Sequence, residues 1–172
     1  MHGKFYSLIR LPSLLRDSNI ATNENNDMLE LRPIKLDDVE ALLDIERDNS
    51  MSPWNEKQFR DAKDYIYVLT LDYIPVGYIA LSYAADQAEL QNLSVRKAHQ
   101  NLGFGKKLLN HALGNLPNSI NQIFLEVRVS NFRAIRLYTV LGFNQVGYRR
   151  DYYPTEFTRE DALVMELQLK NQ

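Results

Sequence analysis

A mixed α/β fold, with a central sheet of about seven strands flanked by about four helices, is what the 172-residue sequence predicts. Three observations predict it. Apolar residues alternate with period two over several short runs and recur at helix spacing over others, and the runs follow one another as β-α-α-β-β-β-α-β-α-β-β without an internal repeat. Hydrophobic residues make up 45% and charged residues 24% of the chain, with 7 Gly and 6 Pro, which excludes disordered, collagenous and coiled-coil classes. A chain of this length buries roughly 70% of the surface its unfolded form exposes, so one domain can build its own core.

Residues 1–27 stand apart. They end in the polar stretch from Asn19 to Asp27 and lack apolar periodicity, so they are read as an N-terminal extension, expected to be poorly ordered. Lys4, Arg10 and Arg16 give this segment a faint likeness to a transit peptide, against which Pro12 and the short apolar run both count. The domain proper, 28–172, opens with Leu29 to Arg32 in strand alternation, stopped by Pro33. Asp37 or Asp38 is placed to cap a first helix carrying Val39, Leu42 and Leu43, and Asn55 with Gln58 reads as a capping box, with Trp54 stapled to Phe59. Tyr65 to Leu71 and Val76 to Tyr83 form a hairpin about Asp72 to Pro75, and Glu89 to Val95 is the next strand. A helix with Leu108, Leu109, Ala112 and Leu113 on one face follows and ends at Gly114 and Pro117. Ile123, Leu125 and Val127 face one side of a strand and Glu126 the other. Ser130 then caps a helix with Ala134, Leu137, Tyr138 and Leu141, closed by Gly142, and Phe143 to Tyr148 and Leu163 to Leu169 are two last strands joined by an aromatic, polar loop.

Composition narrows the function. With 20 Lys plus Arg against 22 Asp plus Glu, the net charge of -2 gives no reason to expect nucleic-acid binding. No stretch approaches the ~18 apolar residues of a membrane span, and a cytoplasmic location is expected. The absence of Cys removes thiolate metal sites and a cysteine nucleophile, and the three His residues have no metal-ligand spacing, so no metal is expected. One motif remains: a strand, then Gln100-x-x-Gly103-x-Gly105, then a helix with Lys106 and Lys107 in its first turn. Free N–H groups and the positive end of a helix dipole make such a turn an anion site suited to pyrophosphate, although glycines at a tight helix entry explain a bare G-x-G equally well. Leu108 stands where a dinucleotide fingerprint has its third Gly, and no G-K-[ST] follows.

The run from Val95 to Leu109 (VRKAHQNLGFGKKLL) resembles the acetyl-CoA-binding motif of the GNAT N-acetyltransferases, as do Leu31-Arg32-Pro33, Pro75 to Tyr78, and Asn131 to Phe143. The resemblance spans Met28 to Leu169 and implies the GNAT fold. Ser52-Pro53-Trp54, Leu125 to Arg128, Ser130-Asn131, Arg149 to Pro154 and Arg159 to Ala162 are similar to the RimI group, which acetylates the N-terminal alanine of a bacterial small-subunit ribosomal protein. The resemblance implies acetyl-CoA as co-substrate, the N-terminal peptide of a ribosomal protein as partner, Glu126 as general base and Tyr138 as general acid. It places coenzyme contacts at Leu93, Ser94, Val95, Gln100, Asn101, Leu102, Gly103, Phe104, Gly105, Lys106 and Asn131, and peptide contacts at Trp54, Tyr152 and Tyr153, the two tyrosines on a loop. Relatives often carry a basic residue just after the Gln, where this chain has Asn101 and Leu102, so charge on the pyrophosphate falls to Lys106, Lys107 or Arg96.

The residues alone leave alternatives. Glu126 also reads as a surface glutamate paired with Arg128 or another cation, and Tyr138, on an apolar stripe, as a core aromatic. The same enzyme class admits a lysine side chain, a polyamine or a drug amine as acceptor, and another class admits a non-catalytic acetyl-CoA-binding module. Retention of Glu126 and Tyr138 counts against the module, and the lack of Cys fits direct transfer in a ternary complex.

Overall fold

The computed structural model describes residues 19–22 and 28–169, with side chains from Met28 onward. The likeness to a transit peptide falls on residues outside that range. Strand β1 (Asn19–Thr22) and strand β2 (Met28–Pro33) precede helix α1 (Val39–Asn49) and the short α2 (Glu56–Asp61). Then come β3 (Ile66–Leu71), β4 (Ile74–Ala84), β5 (Gln87–Val95), α3 (Phe104–Gly114), β6 (Gln122–Arg128), α4 (Phe132–Val140), β7 (Asn144–Pro154) and β8 (Arg159–Gln168). The expected seven strands and four helices are present. An eighth strand comes from the extension: Asn19–Thr22 pairs antiparallel with Met28–Leu31, so four of its residues join the sheet edge.

The sheet order is β1-β2-β3-β4-β5-β6-β8-β7, antiparallel throughout except for the parallel pair β5·β6 that the crossover through α3 makes possible. Helices cover both faces. On one, Val39, Leu42 and Ile45 of α1 and Phe59 of α2 bury against Ile66, Val68, Tyr78 and Ala80; on the other, Phe104, Leu108, Leu109 and Ala112 of α3 and Tyr138 of α4 pack on the central strands. Asn55 and Gln58 form the expected capping box, and Trp54 meets Phe59 edge-on at 5.4 Å between centroids.

Three local expectations are corrected. Asp38 makes no side-chain cap for α1: it is 5% exposed and its carboxylate accepts from both guanidinium nitrogens of Arg32 at 2.7 and 2.8 Å and from the Lys35 N–H, stronger partners than the helix start offers. Asn131, not Ser130, caps α4, its Oδ1 accepting from the Ala134 N–H at 3.1 Å. Tyr152 and Tyr153 lie on β7 and not on a loop; a bulge between Arg149 and Tyr153 lets the strand run on to Pro154. Among the described residues no helix is long and apolar enough to cross a membrane.

What positions the site is a parting of strands. Pairing between β5 and β6 runs from Gln87 and Gln122 to Leu90 and Leu125 and then stops, while β5 stays on β4 through Val95 and β6 stays on β8 through Arg128. The register on β4 shifts at the same place, leaving Gln91 as an extra residue, and such a bulge bends and twists its strand. The result is a V open between Leu93–Val95 and Glu126–Arg128.

Candidate active site

Alternation fixes which backbone groups face the V. Arg96 N–H donates to Val76 O of β4, whereas the carbonyl of Val95 points the other way and accepts from the side chains of Asn49 and Gln100 at 2.9 and 3.0 Å. The N–H and C=O of one strand residue point to the same edge, so the N–H groups of Val95 and, two residues back, Leu93 face the open side of β5. Asn49 also donates to Ser94 Oγ at 2.9 Å, tying the end of α1 to this edge.

One side of the V opens into a cleft of about 220 Å³ between β5, the Gln100–Gly105 loop, α3 and α4. Of the coenzyme candidates, Leu93, Val95, Gln100, Asn101, Gly103, Phe104, Gly105 and Lys106 line it, and so does Tyr138. The loop enters α3 through Gly103 at φ 79°, a left-handed turn that leaves the N–H groups of Phe104, Gly105 and Lys106 without intrahelical partners. The first turn of α3 has no acid, so partial positive charge faces the cleft uncancelled. A pyrophosphate with a thin apolar arm fits this donor set: cationic and N–H groups at the loop, Leu93, Val95 and Leu137 farther along. Three expected coenzyme residues do not line the cleft. Ser94 is buried toward α1, Leu102 projects into solvent, and Asn131 is committed to its cap. Of the cations named for the pyrophosphate, Lys106 lines the cleft and Lys107 and Arg96 do not.

The other side of the V is a broad groove of about 1510 Å³ lined by Trp54, Glu126, Arg149, Tyr152 and Tyr153, which brings the base candidate and all three peptide-binding candidates together. Glu126 is half-buried on β6, opposite in facing to the buried Leu125 and Val127. Arg149 of β7 donates to its carboxylate and lies over the Tyr152 ring at 5.6 Å. Tyr153 donates to the Glu126 carbonyl at 3.1 Å beneath the guanidinium of Arg128, which pairs with Glu160 and not with Glu126. Hydrogen bonding to Glu126, then burial and its charge, raises the Tyr152 phenol; burial first, then the charge of Glu126, pushes Tyr153 up to about 12.

Tyr138 lines the cleft from α4. It is 7% exposed among apolar neighbours, tilted against Phe143 at 5.7 Å between centroids, yet it borders the cleft. Burial first, then interaction with Tyr153, raises its phenol well above the ordinary value, so it holds its proton at any physiological pH. The ring is packed as a core aromatic, and the residue lines the cleft. The arrangement sets a carboxylate, a protonated phenol and free strand N–H groups around one gap, a combination suited to attack by an amine on a carbonyl.

Asn49, Arg133 and Arg149 were not assigned from sequence. Arg133 and Arg149 both lie in runs that resemble the family, but the pairing of Arg149 depends on the β7 bulge and that of Arg133 on the fold of the Gln100 loop; Asn49 carries no local signal beyond being a polar residue at a helix end.

Residues 33–143 match the model of the acetyltransferase (GNAT) family. The chain is similar to the ribosomal protein bS18-alanine N-acetyltransferase of Escherichia coli K12, 35% identical over 144 residues that cover 81% of this chain and 97% of that protein. It is similar to its counterpart in Salmonella typhimurium, 37% identical over 134 residues, covering 76% and 90%. The crystal structure of the ribosomal-protein-S18-alanine N-acetyltransferase from Escherichia coli superposes with a TM-score of 0.75 at 34% identity, covering 82% of this chain and 94% of that one. Arabidopsis thaliana Naa50, solved with a bisubstrate analogue, shares the fold with a TM-score of 0.73 at 23% identity, covering 82% and 99%.

Proposed function

The chain belongs to the GNAT acetyltransferase family, and from that premise we propose that it transfers the acetyl group of acetyl-CoA to the N-terminal α-amine of a small-subunit ribosomal protein beginning with alanine, in the cytoplasm. The observation that carries this reading is the placing of Glu126 at the β5·β6 parting, between a cleft suited to a pyrophosphate and a groove walled by Tyr152 and Tyr153. A groove closed at that end by two tyrosines favours a chain terminus over a side chain in mid-sequence.

An α-amine has an ordinary pKa of about 7.7 to 8.0 and is mostly protonated near pH 7, so it needs a base before it attacks. Glu126 receives that proton. As the amine adds, the N–H groups of Leu93 and Val95 stabilise negative charge on the thioester oxygen. Tyr138, kept protonated by burial, donates to the departing sulfur. Gly103, Gly105 and Lys106 hold the pyrophosphate, and Trp54, Tyr152 and Tyr153 hold the peptide. No step calls for a thiol of the protein, which agrees with direct transfer.

The test is mass spectrometry of acetyl transfer to two peptides, one starting with free alanine and one N-blocked and containing lysine. Acetylation of the first alone is expected. Preferential acetylation of the blocked peptide would move the assignment to a lysine acceptor, and acetylation of neither would leave only coenzyme binding.

A further inference from the structure

The loop that faces the coenzyme phosphates carries no charge of its own: Gln100, Asn101, Leu102, Gly103, Phe104 and Gly105 are all neutral. Across the cleft, in the first turn of α4, stands Arg133. Its Nη1 donates to Gln100 Oε1 at 2.7 Å, while the Gln100 amide donates onward to the Val95 carbonyl at 3.0 Å and to Asn49 Oδ1 at 3.2 Å. The guanidinium is thus held at the cleft by a side chain that is itself anchored to β5 and α1. Among the described residues no carboxylate pairs with it.

We propose that Arg133 grips the coenzyme pyrophosphate from the α4 wall, with Gln100 as the residue that aims it. This inference rests on the acetyl-CoA reading of the cleft. A guanidinium has five N–H donors in a planar fork, and Gln100 takes one, which leaves the others for phosphate oxygens. Lys106 lines the same cleft from the first turn of α3, so two cations and the free N–H groups of α3 border the place of the pyrophosphate. A lysine would supply the charge of Arg133 but could not hold Gln100 and a phosphate in one rigid plane.

The experiment is calorimetric titration of the wild-type chain, Arg133→Ala and Arg133→Lys with acetyl-CoA and with its 3′-dephospho form, alongside thermal melts. Arg133→Ala is expected to raise Kd by about 10- to 100-fold, the range for losing a hydrogen bond to a charged group. The same factor is expected for both ligands, since both carry the pyrophosphate, and Arg133→Lys recovers part of it. Tm stays unchanged, because the side chain is exposed. An unchanged Kd in Arg133→Ala overturns the proposal, as does a loss confined to the ligand with the 3′-phosphate. Failure of the wild-type chain to bind acetyl-CoA at all would instead overturn the coenzyme reading on which the proposal rests.

Discussion

In the proposed mechanism Tyr138 serves packing and chemistry together. Its ring lies between Phe143 and the sheet while the residue lines the cleft, so Tyr138→Phe keeps the packed volume and removes only the proton donor. The expected outcome is a fall in kcat of about 10²-fold, within the range for general acid catalysis, with Tm unchanged by thermal melt. A loss of stability equal to that of a core truncation would show that the residue is structural alone. Glu126 was legible in the sequence because period-two alternation turns it away from Leu125 and Val127. Its partner was not. Arg149 stands 23 residues farther on, and only the bulge in β7 brings it across.

At the scale of elements, caps and turns were the most legible features and strand ends the least. The Asn55–Gln58 box depends on residues three apart, so sequence contains all of it. The length of β7 does not, because bulges let an aromatic, arginine-rich segment stay in the sheet that its polarity had marked as loop. Ser130 was a reasonable cap by residue type; the chain turns one residue later, so the cap falls to Asn131. Two elements support predictions. Gly103 has open space around its missing Cβ but φ at 79°, so Gly103→Val strains only the backbone of the loop. A sharp rise in the Kd for acetyl-CoA with a folded domain is expected by calorimetry, and Gly103→Asn, which tolerates left-handed backbone, should do less harm. At the other end, Arg32 and Asp38 pin β2 to the start of α1. Burial works against the Asp38 carboxylate, but Arg32 and the Lys35 N–H together hold it below the ordinary carboxylate range. Its contribution to stability is therefore present above its unfolded pKa and lost as pH falls through the lower folded value. Asp38→Asn should cost about 3 kcal/mol in denaturant unfolding, because it leaves the buried Arg32 charge with only the longer 3.7 Å contact to Glu30, and should flatten that acid limb.

Across the whole molecule, the candidate site lies at β5 and β6, and β1, the described part of the extension, at the sheet edge beyond β2. Removing residues 1–27 strips β1 from β2 and bares that edge, so the truncated chain should keep its turnover while Tm falls by about 2–4 °C, as a loss of about 1 kcal/mol gives at this size. Loss of acetyl transfer after truncation would show that the extension reaches the site. The mixed order of strands and helices made the architecture legible, and the glycine loop made the coenzyme side legible. The parting of β5 from β6 was not, since it needs three strands in register and a bulge at Gln91. Glu126 stands at that parting, on the groove side, and the proposed mechanism turns on this carboxylate taking the acceptor's proton. The most direct measurement is therefore kcat for acetyl transfer to an alanine-starting peptide by Glu126→Gln, over a range of pH and with acetyl-CoA affinity checked in the same variant. A fall of about 10²-fold with coenzyme binding retained is expected. Wild-type turnover by Glu126→Gln at every pH would contradict the assignment of Glu126 as base.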